Sequence, residues 1–138
     1  MSGDNKAFIR RWFDEVWNKK RTEAIDEMMD ANCVVAGLAQ PLRGPAEFKA
    51  FHAAYVDAFP DVEILVEQLI EEGDIVAARW SGGGTHRGAG LGFAATHKRA
   101  TFTGMTFARV ANGKVVEGWN AFDQMGMLQQ LGVITPPA

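Results

Sequence analysis

Two residues, Asn112 and Gly113, separate two long apolar runs, residues 100–111 and 114–122. Asn-Gly readily adopts positive φ at both centres of a tight turn, and the twist of that turn matches the strands it joins. The second half of the chain is therefore expected to contain a hairpin. Its strands approach ~10 residues, against a usual mean of about 5–6. Upstream, Val62, Ile64 and Val66 alternate with Glu63, Leu65 and Glu67, the pattern of a half-buried strand. Gly73-Asp74 then breaks the chain before another apolar run, residues 75–80, which ends in the glycine cluster SGGGTHRGAGLG.

The first half has a different period. Phe8, Trp12, Phe13, Val16 and Trp17 recur on one face of a helix opening near Asp4, with Lys6, Arg10, Arg11, Asp14 and Lys19 opposite. Thr22 is placed to cap a shorter helix that buries Ile25, Met28 and Met29. Residues 33–36 form a short apolar strand. Gly44-Pro45 opens a third helix, because proline at the first helical position loses no hydrogen bond. Phe48, Phe51, His52, Tyr55 and Phe59 share its stripe, and Pro60 stops it. Helices, then a meander of long strands, then one terminal helix predict an α+β fold. In it a strongly curved antiparallel sheet wraps around the N-terminal helices.

The chain has 138 residues, 47% of them hydrophobic, which suits a single domain over 1–138 with its own core. Seventeen acidic and 14 basic residues are interspersed, and the net charge of -3 argues against nucleic-acid binding. One cysteine, Cys33, excludes an internal disulfide and a Cys-rich zinc cluster. The charged N-terminus lacks a secretory pattern, and no apolar run reaches membrane-span length, so the expected location is cytoplasmic, away from membranes. His52, His86 and His97 show no close ligand spacing, and no metal is expected. Gly82-Gly83-Gly84 lacks the Lys-Ser/Thr of a phosphate loop, and no cofactor is expected.

AFPD (58–61), EEGDIVAARW (71–80), GTHRG (84–88), NGKVVEGW (112–119), FD (122–123) and QQLG (129–132) fall in an order and spacing that resembles the SnoaL-like polyketide cyclases, within the nuclear-transport-factor-two-like superfamily. The resemblance covers nearly the whole chain. It implies a cone-shaped sheet around an internal apolar cavity, often in a homodimer. It also implies acid/base chemistry on a small apolar carbonyl compound, an intramolecular aldol closure without metal or cofactor. The family's acid/base aspartate matches Asp123, and its glycine-flanked histidine matches His86. Where the family often has Pro-Thr-Gly-Lys, this chain has Ala95-Thr96-His97-Lys98.

In an aldol closure, one carboxyl group can remove a proton next to a carbonyl and later protonate the new alkoxide. For that its pKa must rise from ~3.9 toward working pH. Trp119 shares strand parity with Asp123 and could supply the apolar environment. Equally, Asp123 precedes a helical stretch and could be only its N-cap. His86, with an ordinary pKa of about 6.5, could assist, or could be a surface histidine. His52 lies on an apolar stripe and is either a core residue or a pocket residue. Trp12, Trp17, Phe51, Tyr55, Met105 and Phe107 could line a cavity or be plain core, and Trp119 is a further candidate substrate contact. Asn120 is expected on the strand face opposite Asp123, as a further substrate contact. Arg79 and Glu117 are candidates for a cross-strand pair. The functions left open are a cyclase, a hydratase/dehydratase or ketosteroid-type isomerase, and a non-catalytic ligand-binding or dimerisation module.

Overall fold

The computed structural model of the chain describes residues 4–135. The first helix, α1 (Asp4–Phe13), runs directly into a widened π-helical turn, Asp14–Asn18. A short α2 (Glu23–Met28) follows, with Ile25 and Met28 buried as expected. Thr22 precedes it but makes no side-chain capping bond, and Met29 is buried at the start of the next strand rather than in the helix. β1 (Met29–Ala36) and β2 (Leu42–Arg43) lead to α3 (Gly44–Ala58). Pro45 opens α3, and Glu47 reaches back to accept the Arg43 backbone N–H at 2.8 Å.

The long strands follow: β3 (Glu63–Glu72), β4 (Ile75–Thr85), β5 (Arg99–Ala111) and β6 (Lys114–Phe122), closed by α4 (Gln124–Leu131). Asn112 and Gly113 take φ of 53° and 74°, as the hairpin turn requires. β4 does not end at the glycine cluster but runs through Gly82, Gly83 and Gly84. Those positions lie close against Phe102, Phe59 and Asp61, so the missing side chains make room for neighbours there instead of breaking the strand.

All six strands form one curved sheet in the order β2-β1-β6-β5-β4-β3. Neighbours are antiparallel except β1 and β6, which run parallel, with Val34 beside Glu117 and Ala36 beside Trp119. Thus the sheet is mixed, where the sequence pattern alone suggested an antiparallel meander. Arg79 and Glu117 cannot pair, because β5 lies between their strands. Glu117 instead accepts from Arg109 at 2.9 Å, and Arg79 bonds Gln68.

Inside the curve, α1 and α3 lay Ile9, Trp12, Phe13 and Phe48 against Val76, Ala78, Trp80, Phe102 and Ala108 of the strands. On β5 burial alternates strictly by parity, with Phe102, Ala108 and Val110 inward and Thr103, Met105 and Phe107 outward. On β6 the alternation is interrupted. Val110 pairs Val115 but Arg109 pairs Glu117, so Val116 is an extra residue in the ladder. Such a bulge reverses which residues face in. Val115 and Gly118 are buried, while Glu117 and Trp119 point out.

Candidate active site

The sheet and helices enclose a cavity with Trp12, Trp17, Phe51, Tyr55, Trp80, Phe102 and Phe122 among its walls. The space open to the centre of a water-sized sphere is about 90 Å³, several times the ~10–15 Å³ that one water needs. Among the described residues the lining contains no Asp, Glu, His, Lys or Arg. Its side-chain polar groups are the Tyr55 and Thr106 hydroxyls, the Asn120 amide and the indole N–H groups of Trp12, Trp17 and Trp80.

Three of these groups form a chain built by the strand register. Thr106 of β5 lies directly opposite Asn120 of β6, and Trp80 of β4 lies opposite Gly104. The Trp80 indole lies over Gly104, where a Cβ would sit 2.7 Å from Cε2 and Cη2. Gly104 therefore lets the ring lie flat along the sheet, and the Trp80 Nε1–H donates to Thr106 Oγ1 at 3.0 Å. Thr106 Oγ1–H donates in turn to Asn120 Oδ1 at 2.5 Å. Gly37, at φ 92°, packs so tightly on the Asn120 backbone that no side chain fits there, which holds this part of β6 in place. Tyr55 packs at a tilt against Phe51, with ring centroids 4.9 Å apart, and its burial pushes the phenol up to about 12. At neutral pH that hydroxyl is a donor.

The candidates from the sequence divide between the cavity and other parts of the fold. Trp12, Phe51, Tyr55 and Asn120 line the cavity, and Asn120 lies on the strand face opposite Trp119, as parity suggests. Met105, Phe107 and Trp119 do not line it. They point outward, 58%, 50% and 38% exposed: Met105 and Phe107 by the regular alternation of β5, and Trp119 because the Val116 bulge reverses the parity of β6. His52 is buried but outside the lining. Its Nε2–H donates to the Val16 carbonyl at 2.7 Å within the π-helical region, its ring rests on Trp17, and burial lowers its pKa.

Asp123 is exposed and absent from the lining, one residue beyond Phe122. Its Oδ1 accepts the Gly126 N–H at 2.9 Å, capping α4, while Oδ2 has no hydrogen-bond partner among the described residues. Trp119 does not shelter it. A side chain at Gly126 would collide with this carboxylate, so glycine there is what lets the cap close.

His86 is fully buried, not a surface residue, and also lies outside the cavity. Phe59 and Phe93 flank its ring. Nδ1 accepts the Thr96 backbone N–H at 3.0 Å, which puts the proton of the neutral ring on Nε2, where it has no partner among the described residues. Backbone bonds from His86 N to Lys98 O and from His97 N to His86 O close the same loop. His97, standing where the family pattern often has glycine, takes φ 60°. Sequence reasoning passed over Trp80, Thr106 and Phe122. The available signal was Thr106, a polar residue sharing parity with the inward Phe102 and Ala108.

No group of three or more His, Cys, Asp or Glu side chains gathers as metal ligands among the described residues. No helix there is long and apolar enough to cross a membrane.

Comparison with known proteins points to one family. No curated protein matches the chain. Among solved structures, a protein assigned as a SnoaL-like polyketide cyclase from Jannaschia sp. CCS1 is 25% identical with a TM-score of 0.85, the match covering 96% of this chain and 93% of that one. IdmH from Streptomyces antibioticus, assigned as a polyketide cyclase, is 27% identical with a TM-score of 0.80, covering 94% and 99%. AclR from Streptomyces galilaeus, assigned as a hydroxylase, shares the fold at a TM-score of 0.88 and 24% identity, covering 100% and 87%. The family pattern described as SnoaL-like polyketide cyclase matches residues 7–131, and with the curved sheet and enclosed cavity it assigns the chain: it belongs to the SnoaL-like polyketide cyclase family.

Proposed function

We propose that this chain is a cofactor-independent cyclase that closes a ring within a small, largely apolar carbonyl compound. The observation that carries the reading is an apolar cavity whose few polar groups include two free donors, the Asn120 amide and the protonated Tyr55 hydroxyl. In an intramolecular aldol closure a base removes a proton next to one carbonyl, and the resulting carbon attacks the other carbonyl carbon. The oxygen of that second carbonyl becomes an alkoxide and then takes up a proton. Asn120 and Tyr55 would donate to that oxygen as its charge grows, which counts for more in a water-poor site than in water. The aromatic walls would hold the chain folded for attack, an effect that can supply several kcal/mol. We give proton removal to Oδ2 of Asp123, one residue beyond the lining Phe122 and the position that matches the acid/base aspartate implied by the family resemblance. His86 has no part in this reading, because its ring is sealed away from the cavity.

The test uses an apolar diketone able to close on itself. Its binding is followed by tryptophan fluorescence, since Trp12, Trp17 and Trp80 line the cavity, and ring closure by ultraviolet absorbance. Asn120→Ala should weaken binding and slow closure. Asp123→Asn keeps a capping oxygen, so it should bind normally and lose turnover. Full turnover in Asp123→Asn would remove Asp123 from the mechanism, and a wild-type protein that binds no apolar ketone would end the proposal. A second reading, a non-catalytic ligand-binding module, is favoured by the lack of any carboxylate or imidazole in the lining. Tight binding without turnover would establish it.

We also propose that the outer sheet face pairs with a second copy of the chain. Phe107 lies opposite Trp119 and Met105 opposite Ala121, giving a contiguous exposed apolar surface of the kind that marks association sites. Light scattering should give a dimer mass that Trp119→Glu reduces to a monomer. A monomeric wild type at micromolar concentration would refute this pairing.

A further inference from the structure

The chain from Trp80 through Thr106 to Asn120 has a direction. An indole N–H only donates, so Thr106 Oγ1 accepts at its 3.0 Å contact with Trp80. Thr106 keeps one proton to give, and its only other partner among the described residues is the Asn120 side chain, at 2.5 Å. The two ends of an amide are ordinarily hard to tell apart from position alone, but a donor-only group at the head of the chain settles them here. Oδ1 is the end held by Thr106, and Nδ2 is the end left over. Nδ2 has no partner among the described residues and is not sealed from solvent-sized contact, unlike His86 Nε2.

We infer that Trp80 and Thr106 are positioning residues that fix the polarity of the Asn120 amide, so that the cavity selects a ligand presenting an acceptor oxygen, a ketone or quinone, over the alcohol of the same shape. The inference rests on the reading of the cavity as the ligand site and deepens it by naming what the ligand must carry. A ketone oxygen accepts from Nδ2 and needs nothing more. An alcohol placed there also brings an O–H, and the amide oxygen that could receive it is held toward Thr106, at the other end of the amide from Nδ2. A buried donor left unmade is costly. The ketone should therefore bind about tenfold more tightly than its alcohol, the equivalent of one unsatisfied hydrogen bond. Gly104 is part of the device, since only a residue without a side chain lets the indole reach Thr106.

Isothermal titration of the full chain with three ligands of one skeleton, indanone, indanol and indane, tests this. Wild type should prefer indanone to indanol by about tenfold. Thr106→Val removes the hydroxyl at nearly constant shape and frees the amide to turn. Its indanone-to-indanol ratio should fall toward one while indane binding is unchanged, and Thr106→Ser should restore the ratio. Equal binding of ketone and alcohol by wild type, with indane also bound, overturns the inference and leaves the cavity reading intact. A preference retained in Thr106→Val overturns it too. If Thr106→Val loses indane as well, Thr106 serves packing and the inference falls. If wild type binds none of the three, the cavity reading itself fails and this inference with it.

Discussion

Adding a single methyl group at Gly104 tests the packing that the cavity's hydrogen-bond chain depends on. Gly104 and Gly118 both lie on the inner face of neighbouring strands, and neither needs a positive φ. They differ in clearance. A Cβ at Gly118 would meet Val35 Cγ2 at 3.5 Å, an ordinary contact, whereas one at Gly104 would come within 2.7 Å of two atoms of the Trp80 ring and closer still to a third. Trp80 is 9% exposed and packs against Phe13 and Phe122, so its ring cannot move aside freely. Overpacking of this kind costs about 1–3 kcal/mol, and alanine recovers about 0.5 kcal/mol over glycine in a strand. The net loss for Gly104→Ala is about 0.5–2.5 kcal/mol. In a chain of this size each kcal/mol moves the midpoint by roughly 3–5 °C. Gly104→Ala should melt several degrees below wild type, with changed Trp80 near-ultraviolet circular dichroism. Gly118→Ala should melt at or above wild type. Equal midpoints for the two variants, with an unchanged near-ultraviolet spectrum, would refute the argument that Gly104 exists to seat the indole.

Burial disfavours the charged form of His52, so its folded pKa lies below the ordinary value. The unfolded chain then takes up the proton first, and the stability is fully present above about pH 6.5 and is lost as the pH falls below it. The melting midpoint should drop between pH 7 and pH 5, and less so in His52→Gln; parallel curves would contradict the assignment. Tyr55 is the only tyrosine in the chain, so phenolate absorbance reports it alone. The folded protein should show little phenolate at pH 10.5, and a midpoint near 10 with far-ultraviolet circular dichroism intact would place the hydroxyl in water rather than in the cavity wall.

The elements were legible because each is announced locally. Asn112-Gly113 fixes the hairpin, Pro45 and Pro60 bracket α3, and period-two alternation marks β3. What a strand faces was harder to read. Counting back from the Asn112-Gly113 turn in regular register places Thr106 opposite Trp119. The single extra residue at Val116 moves its partner to Asn120 and turns Trp119 outward. Nothing in the residue types around Val116 marks that bulge, because both faces of β6 carry apolar side chains. Bulk misled as well. The large Met105 and Phe107 face out, while the inner face of the same strand has Gly104, Thr106 and Ala108, whose small size leaves room for the cavity. The glycines 82 to 84 read as a break because the residues they accommodate, Phe59 and Phe102, are distant in sequence.

The parallel pairing of β1 with β6 also sets an order of assembly. β3, β4, β5 and β6 follow one another as antiparallel neighbours, each joined to the next within the meander. β1 has no such adjacent partner on its inner side: Val34 and Val35 dock beside Glu117 and Gly118, near the far end of the chain. Closing so long a loop carries an entropy cost that later contacts must offset, and folds rich in distant pairings fold slowly. On a ribosome, β1 cannot dock through Val34 and Val35 until residues beyond Gly118 have emerged. Throughout that interval the inner faces of α1 and α3 lack their complete strand cover, and the newly made chain is then most open to aggregation.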